Sequence, residues 1–317
     1  MGVTVLLVSG LVLLALGGEL LVRGAVGLSR LLKISPLLAG LTIVGFGTST
    51  PELATSLQAA FSGSPAIALG NVIGSNIANI LLILGVSAIL VPLAVTPKAF
   101  RRDAPALALS TILCVIAVLM GSIGVFIGLV LLAMLVGYVL WAYRSEKDAQ
   151  DPEAERHRQE AIGAAPDVNS GWLLGLMVAA GLAAAIFGAR LLVDGAVQLA
   201  SAAGLSEAVI GLTIVAVGTS LPELIACLVA VRKGHPEVAL GNVVGSNLYN
   251  VFGILGITAV IHPLDVAAEI ARFDVWILAA VTALLVVQLR SGWKVSRTEG
   301  LLLLFLFVAY TAFLLMR

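Results

Sequence analysis

The chain has 317 residues, of which 60% are hydrophobic and only 11% are charged, and its mean hydropathy is +1.10. A water-soluble domain carries roughly a quarter charged residues, so this composition excludes an ordinary soluble domain and predicts a protein that folds in lipid. The net charge is zero, and we expect no nucleic-acid partner.

A membrane-spanning helix needs about 20 mostly apolar residues. Ten segments meet that requirement, at about residues 3–29, 36–61, 66–91, 104–120, 123–143, 171–200, 207–231, 237–261, 274–290 and 299–316. The first of them lacks a basic leading region and a small-residue cleavage motif, so we interpret it as a spanning helix rather than a cleaved signal. The predicted fold class is an all-α membrane protein with ten transmembrane helices.

The first span contains two charged residues, Glu19 and Arg23, and the sixth contains Arg190 and Asp194 with the signs exchanged. Residues four apart are neighbours on one helix face, and a pair of opposite charges lowers the cost of a position in the membrane. We interpret both pairs as anchors near the membrane faces. The alternative is that they hold two moving helices in one conformation.

The second span contains the stretch GTSTPE, in which a proline precedes a glutamate. Pro51 has no amide hydrogen and clashes with the carbonyl four residues earlier, so the helix must kink and free a carbonyl near Gly45–Gly47. In a membrane such a carbonyl is tolerated only where it lines a cavity or meets a partner. Thr48 and Ser49 share the helix face of Glu52. Together these groups form an oxygen-rich cluster, which hard cations such as Na⁺ and Ca²⁺ prefer.

The third span contains GNVIGSNIANI, in which polar residues recur every four positions. Asn71, Ser75 and Asn79 therefore form one polar stripe along the helix. Gly70 and Gly74 form a small-residue face that lets another helix approach closely. A single Asn or Ser in a spanning helix usually forms a hydrogen bond to another helix. A whole stripe of such residues beside a glutamate within the membrane instead favours a cation site.

Between the fifth and sixth spans, residues 144–170 are polar and carry seven acidic residues. We interpret this segment as a cytoplasmic linker, because it is too short for an inserted domain of roughly 50 residues or more. The predicted organisation is a first five-helix repeat at residues 1–143, the linker, and a second five-helix repeat at residues 171–317.

The second half repeats both polar stretches at a constant offset of 171 residues, as GTSLPE and GNVVGSNLYNV. Between residues 37–85 and 208–256, 27 of 49 positions are identical without a gap. A duplication that preserved only packing would not need to keep polar residues at equivalent places within the membrane. Asn76 and Asn247 lie off the polar stripes, and we assign them a structural role. The repeated polar residues are Thr219, Ser220, Glu223, Asn242, Ser246 and Asn250.

The positions of Lys and Arg predict the orientation. Fourteen of the 18 lie in the odd-numbered connections between spans, two lie on the opposite side, and two lie within helices. The odd-numbered connections should therefore face the cytoplasm, with both termini outside, in a cell (inner) membrane. Five spans per repeat force the second copy to enter from the opposite side. This inverted repeat is characteristic of secondary transporters, whose sites lie near the membrane midplane.

Two carboxylates, Glu52 and Glu223, determine the charge of the predicted site. Facing each other in a low dielectric they would repel strongly, and one Ca²⁺, two Na⁺ or two protons would cancel their charge. Competition between one divalent and several monovalent ions is what an exchanger requires. Na⁺ and H⁺ satisfy this charge balance equally well as the counter-ion.

The doubled motifs GTSTPE…GNVIGSNIAN and GTSLPE…GNVVGSNLYN resemble the paired repeats of the cation/calcium exchanger superfamily, specifically the prokaryotic sodium/calcium exchangers. The resemblance covers all ten spans. It implies alternating access, in which spans 1 and 6 move across a core of spans 2, 3, 7 and 8. Some members carry Asp where this chain has Asn250. That difference leaves two carboxylates instead of three and argues against dependence on K⁺.

The resemblance also implies a set of ion ligands. The implied ligands are Glu52, Thr48, Ser49, Ser75, Asn79 and the carbonyl of Gly45, with Glu223, Thr219, Ser220, Ser246, Asn250 and the carbonyl of Ala216 as their repeat partners. The transported ions, Ca²⁺ and Na⁺, and the lipid bilayer are then the partners of a monomer that needs no cofactor.

Three other functions compete with Na⁺/Ca²⁺ exchange. A Ca²⁺/H⁺ or other divalent-cation/H⁺ antiporter would use the same scaffold, with the glutamates carrying protons. An intramembrane hydrolase would use Ser49 or Ser220 as nucleophile, but only a glutamate is available as its base, and a doubled site is unexpected in an enzyme. A cation channel would show a flux far above exchanger turnover. We therefore expect no enzyme activity.

Overall fold

The computed structural model describes residues 2–147, 170–202 and 216–316. The elements of the first half are α1 (Val3–Leu32), α2 (Pro36–Ala39), π1 (Gly40–Val44), α3 (Gly45–Thr48), α4 (Thr50–Phe61), α5 (Pro65–Ala78), π2 (Asn79–Leu84), α6 (Gly85–Leu90), β1 (Leu93–Ala94), α7 (Pro97–Leu119), β2 (Ser122–Ile123) and α8 (Val125–Lys147). Most of the predicted linker, residues 148–169, lies outside the described residues.

The described elements of the second half follow a similar order, and residues 203–215 lie outside the described residues. The elements are α9 (Gly171–Ala202), α10 (Ala216–Thr219), α11 (Leu221–Arg232), α12 (Pro236–Leu248), π3 (Tyr249–Leu255), α13 (Gly256–Ile261), β3 (Leu264–Asp265), π4 (Ile270–Asp274), α14 (Val275–Gly292), β4 (Lys294–Val295) and α15 (Arg297–Met316). The regular structure of the described residues is thus helical apart from four two-residue strands, which agrees with the predicted all-α class. Helices suit a lipid environment because they satisfy their own backbone hydrogen bonds.

Eight helices within the described residues are long and apolar enough to cross a membrane. They are Val3–Leu32, Pro65–Leu90, Pro97–Leu119, Val125–Ser145, Gly171–Ala196, Pro236–Ile261, Ile270–Gly292 and Arg297–Leu314. The second predicted span is instead a series of short segments, α2, π1, α3 and α4. The seventh predicted span, 207–231, lies partly outside the described residues.

One boundary differs clearly from the prediction, because α7 begins at Pro97 rather than at residue 104. Thr96 caps the helix by accepting a hydrogen bond from the amide of Ala99 at 3.2 Å, and Pro97 occupies the first turn. Both residue types favour a helix start. The apolar pattern missed this polar first turn, which carries Lys98 and Arg101.

Helices α1 and α9 pack together along their lengths through glycines spaced seven residues apart. A Cβ atom on Gly17 would lie 2.5 Å from the amide nitrogen of Ala185, and one on Gly188 would lie 2.7 Å from that of Leu14. The two backbones are therefore in direct contact, which only small residues permit.

Several contacts between the halves come in matching pairs. In each pair, two residues of opposite halves touch, and the two residues at the equivalent places, 171 positions away, touch as well. Gly17 faces Gly181, and their counterparts Gly188 and Gly10 face each other as well. Where the two halves meet, residues with the same place in each half touch directly. Thr111 donates a hydrogen bond to Thr282 at 3.1 Å.

The four strands form two short antiparallel pairs, each joining one half to the other. β1 pairs with β4, so that Leu93 lies opposite Val295, and β2 pairs with β3, so that Ile123 lies opposite Leu264. These pairs link connections that are far apart in sequence. The two helical stretches that carry the polar stripes, Pro65–Leu90 and Pro236–Ile261, form the centre of the molecule. In their most apolar windows 72% and 78% of the residues are buried, whereas the value for α15 is 11%.

A Cβ atom on Gly70 or Gly74 would meet nothing within 4 Å among the described residues, so the close helix approach expected there stays a prediction. The equivalent glycines of α12, Gly241 and Gly245, do make such an approach, which can be tested by substitution. A Cβ atom on Gly245 would lie 1.9 Å from the carbonyl oxygen of Leu41, so Gly245→Ala must push α12 away from π1. We expect a loss of about 1–3 kcal/mol in stability and a lower melting temperature in detergent, measured by intrinsic tryptophan fluorescence. The matched control is Gly137→Ala, whose Cβ would meet nothing within 4 Å among the described residues. A Gly245→Ala protein that melts with the control would contradict the close packing.

Candidate cation site

The site lies at two helix breaks that the prolines produce. Helix α3 ends at Thr48, and α4 starts after Ser49, which has φ −80° and ψ 10°. The second break, at Ser220, has φ −91° and ψ 8°. The predicted kink is therefore confirmed in both copies. Each break places a glutamate, Glu52 or Glu223, in the first turn of the next helix, where the helix dipole favours a negative charge.

The two carboxylates are buried, and each is tied to the other half of the chain. Glu52 and Glu223 are both 1% exposed. Ser220 donates its hydroxyl to Oε1 of Glu52 at 3.3 Å, and Ser49 donates to Oε1 of Glu223 at 3.0 Å. Each serine thus bonds the glutamate of the opposite break rather than its own. Oε2 of each glutamate has no hydrogen-bond partner among the described residues.

Two asparagines bring a second pair of oxygens to the site. The Nδ2 group of Asn79 donates to Oδ1 of Asn247 at 3.1 Å, and that of Asn250 donates to Oδ1 of Asn76 at 3.0 Å. These bonds fix both amide groups. The Oδ1 atoms of Asn79 and Asn250 are buried and accept no hydrogen bond within the described ranges. The structural role predicted for Asn76 and Asn247 is thus confirmed.

On the two broken helices and the two polar stripes, four buried carboxylate and amide oxygens therefore lack a donor among the described residues: Oε2 of Glu52 and Glu223, and Oδ1 of Asn79 and Asn250. A buried polar atom without a partner costs about 1–3 kcal/mol, and more if it is charged. Carboxylate and amide oxygens are ligands that hard cations prefer. The arrangement can therefore hold a cation.

The carbonyl that Pro51 frees is that of Gly47, four residues earlier, and it accepts the hydroxyl of Thr50 at 2.7 Å. The Gly45 carbonyl is not freed, because it still accepts the amide of Ser49 at 3.3 Å.

Ser246 donates its hydroxyl to the Gly45 carbonyl at 3.1 Å. Thr48 donates to the carbonyl of Val44 at 3.0 Å and lies 3.3 Å from Oδ1 of Asn242. The first kink thus packs directly on the polar stripe of the second half.

The remaining predicted ligands lie in the same segments. Ser75 is buried on α5, one turn before Asn79. Thr219 is the last residue of α10, and Ala216 is the first, at the edge of the described residues. The coordination assigned to these residues stays a prediction.

Sequence reasoning missed the role of the first asparagine in each polar stripe. Asn71 donates to the backbone carbonyl of Glu52 at 3.0 Å and to the hydroxyl of Ser56 at 2.9 Å. Asn242 donates to the carbonyl of Glu223 at 3.2 Å. These amides therefore brace the helix that carries each glutamate. Their spacing alone could not separate them from the asparagines that offer a free oxygen.

The sequence also gave no signal for the π-helical segments next to the site. Segment π2 begins at Asn79 and π3 at Tyr249, immediately before Asn250. Short π segments inside α-helices frequently occur at functional sites. Tyr249 also stacks on Phe46 of α3, with ring centroids 4.7 Å apart, and so packs the first break against the second stripe.

The charged residues of the first span contact one another and a residue of the second half. Oε1 of Glu19 contacts Arg23 at 2.5 Å, which confirms the predicted pair, and it also contacts Nζ of Lys233 after α11. Arg190 and Asp194 are exposed on α9. The two cysteines, Cys114 and Cys227, are free and buried, as predicted.

The comparison with known families agrees with this geometry. Residues 2–144 and 173–316 match the family Na_Ca_ex, described as sodium/calcium exchanger protein. The chain belongs to the sodium/calcium exchanger family. This is a family of transporters, and its two matched regions coincide closely with the two halves of the fold.

Individual members of the family are similar over nearly their whole length. The chain is 39% identical to CaxA of Alkalimonas amylolytica, a candidate antiporter, over 97% of both proteins. It is 31% identical to the sodium/calcium exchanger MaX1 of Methanosarcina acetivorans over 96% of both. Its structure superposes on the sodium-calcium exchanger NCX_Mj soaked with Na⁺ and Sr²⁺ with a TM-score of 0.84, 30% identity and coverage of 98% of both chains.

The bond between Asn247 and Asn79 gives a test of the site. In Asn247→Ala, Nδ2 of Asn79 loses its acceptor, so the Asn79 amide is free to turn its oxygen away. We expect a loss of about 1–3 kcal/mol, roughly 5- to 150-fold in the Kd for Ca²⁺, measured by isothermal titration of the purified protein. The control is Ser110→Ala, whose hydroxyl donates only to Leu107 in its own helix, at 2.8 Å. Wild-type Ca²⁺ affinity in Asn247→Ala would show that the bond does not position a ligand.

Proposed function

We propose that the protein is a secondary-active antiporter that exchanges Na⁺ for Ca²⁺ across the membrane by alternating access. The observation that carries this proposal is the buried pair Glu52 and Glu223, each with one oxygen bonded to the opposite half and one without a donor. The family and the relatives named above support the same conclusion.

The charge of the site supports exchange rather than simple binding. Two carboxylates and two neutral amides give a charge of −2 at the centre of the cluster. One Ca²⁺ or two Na⁺ neutralises it, and the low dielectric makes double occupancy by both kinds of ion costly. Bound Ca²⁺ therefore excludes Na⁺ from the site, and bound Na⁺ excludes Ca²⁺. The two ions then cross in alternation.

The proposed ligands come from both halves. They are Glu52, Thr48, Ser49, Ser75, Asn79 and the Gly45 carbonyl, with Glu223, Thr219, Ser220, Ser246, Asn250 and the Ala216 carbonyl. The crosswise serine–glutamate bonds support this assignment, because they place the two breaks within hydrogen-bonding distance of each other. We further propose that a monomer suffices and that no cofactor takes part.

We propose ten membrane spans in two inverted repeats, with residues 144–170 as a cytoplasmic linker and both termini outside, in the cell (inner) membrane. The strand pairs support this topology. β1 lies between spans 3 and 4 and β4 between spans 9 and 10, connections predicted to share the cytoplasmic face. β2 and β3 lie in connections predicted to share the other face.

The proposed moving unit is the pair α1 and α9. Their glycine contacts bring the two backbones so close that the helices would move together. The site itself is held by hydrogen bonds between the two halves, which join the broken helices and the polar stripes. Motion of the pair over this core would open the site to one face at a time.

A Ca²⁺/H⁺ or other divalent-cation/H⁺ antiporter is the second candidate. The observation that favours it is that both exchangeable charges are carboxylates, which bind protons as well as Na⁺. Uptake of ⁴⁵Ca²⁺ into proteoliposomes, with Na⁺, K⁺ and pH gradients imposed independently, separates the two. We expect a Na⁺ gradient to drive uptake. Uptake driven by a pH gradient and not by Na⁺ would replace the first proposal by the second.

Removal of either carboxylate tests the site within the same assay. Glu52→Gln and Glu223→Gln each leave a bound Ca²⁺ with half of its compensating charge. The penalty for breaking a buried charge pair is about 3–5 kcal/mol, so we expect uptake to fall more than about 100-fold. Glu269→Gln, at an exposed position on the β3 side, is the control and should transport normally. Substantial uptake by either buried variant would exclude the proposed site.

A further inference from the structure

The β1–β4 pair gathers positive charge at one face of the molecule. It joins the connection before α7 to the one before α15, with Ala94 opposite Lys294. We call the exposed cations of these two connections and of the helix ends beside them the β1–β4 basic surface. Its residues are Lys98, Arg101, Arg290, Lys294 and Arg297.

The acidic groups nearby are already engaged. Asp103 is buried and pairs with Arg102 through bonds of 2.5 and 3.0 Å. Glu299 accepts hydrogen bonds from the amide of Ser296 at 2.8 Å and from its hydroxyl at 2.6 Å. No described carboxylate lies within ion-pair distance of the five exposed cations. The surface therefore carries an uncompensated positive charge.

An aromatic residue gives this surface a fixed shape. The guanidinium of Arg290 lies 4.8 Å from the ring centroid of Trp293, and Phe100 meets the same ring edge-on at 5.5 Å. The Trp293 carbonyl accepts from the amide of Val95 at 2.8 Å. Arg297 donates to the carbonyl of Leu90 at 3.3 Å and so joins α6 to α15. Tryptophan at a membrane–water boundary anchors a protein at headgroup depth.

The equivalent surface on the other face lacks this charge. Around the β2–β3 pair the exposed charged residues are Asp265, Glu269 and Arg272. The fold therefore does not require cations beside such a strand pair. Cations in connections set the membrane orientation by their number, but orientation does not require two distant connections to converge.

Apolar side chains continue from the basic surface toward the membrane interior. Leu90 and Val91 at the end of α6, Leu301 and Phe305 on α15, and Val287 on α14 are all exposed. A ligand with a negative head and apolar tails fits this sequence of surfaces. We propose that the β1–β4 basic surface binds the phosphate headgroup of an anionic phospholipid, whose acyl chains lie along α6 and α15. Basic pockets between transmembrane helices bind such headgroups.

Native mass spectrometry of the purified protein tests this binding. The protein is released from detergent with phosphatidylglycerol or phosphatidylcholine added, and the fraction that retains lipid is compared. We expect selective retention of phosphatidylglycerol. In Lys294→Gln/Arg297→Gln its apparent affinity should fall up to about 25-fold, since each cation near an anionic surface contributes about fivefold, or about 1 kcal/mol. Lys98→Gln/Arg101→Gln is an independent second variant with the same expected loss.

The matched control removes the same charge elsewhere on the predicted cytoplasmic face, as Arg144→Gln/Arg232→Gln, and should retain phosphatidylglycerol normally. Gel filtration and the melting temperature confirm that each variant is folded. The proposal would be overturned if the control variant lost as much phosphatidylglycerol affinity as the variants of the β1–β4 basic surface. It would also be overturned if neither of those two variants lost affinity. Displacement of the lipid by glycerol phosphate, which has the headgroup without the chains, would also overturn it and assign the surface to free anions. Exchange activity is not needed for any of these readouts.

Discussion

Two carboxylates buried inside a membrane protein are the constraint on which the rest of the structure depends. An ionised group in such a place is expensive unless another charge or several hydrogen bonds compensate it. Glu52 and Glu223 each receive one serine hydroxyl, which is too little for a charged group, and each keeps one oxygen without a donor in the described part of the chain. Bound protons or a bound metal cation would supply the missing compensation, and either would link the stability of this region to the occupancy of the site.

The helix breaks and the glycines serve this same cluster. The break at Ser49 places Glu52 in the first turn of a new helix, and just before it the Gly45 carbonyl accepts the hydroxyl of Ser246 in addition to its own helical bond. The polar stripe can reach that carbonyl only if the backbones nearly touch, and Gly245 allows this against Leu41. Sequence features that look separate, a proline, a glycine and a serine, are thus parts of one arrangement.

The sequence predicted the helical class, the doubled motifs and the buried glutamates, because these depend on hydropathy and on a local pattern kept in both halves. It could not predict which partner each polar side chain would choose. Ser49 shares a helix face with Glu52, yet it bonds Glu223 across 174 positions of sequence. Asn71 holds a backbone carbonyl whereas Asn79 offers an oxygen, and this difference in role also depends on packing that the sequence pattern does not show. The π segments and the contact of Glu19 with Lys233 depend on packing in the same way.

The two halves are most alike where they meet and least alike at the membrane faces. At the centre, Glu52 matches Glu223 and Asn79 matches Asn250, so the cluster presents the same groups from either side. The proposed alternating access would favour this likeness, because an ion bound far more tightly in the conformation open to one face would keep the protein in that conformation. No such requirement acts on the faces. There the β1–β4 pair is basic and the β2–β3 pair carries two exposed acids, and the difference fits two faces that meet different surroundings.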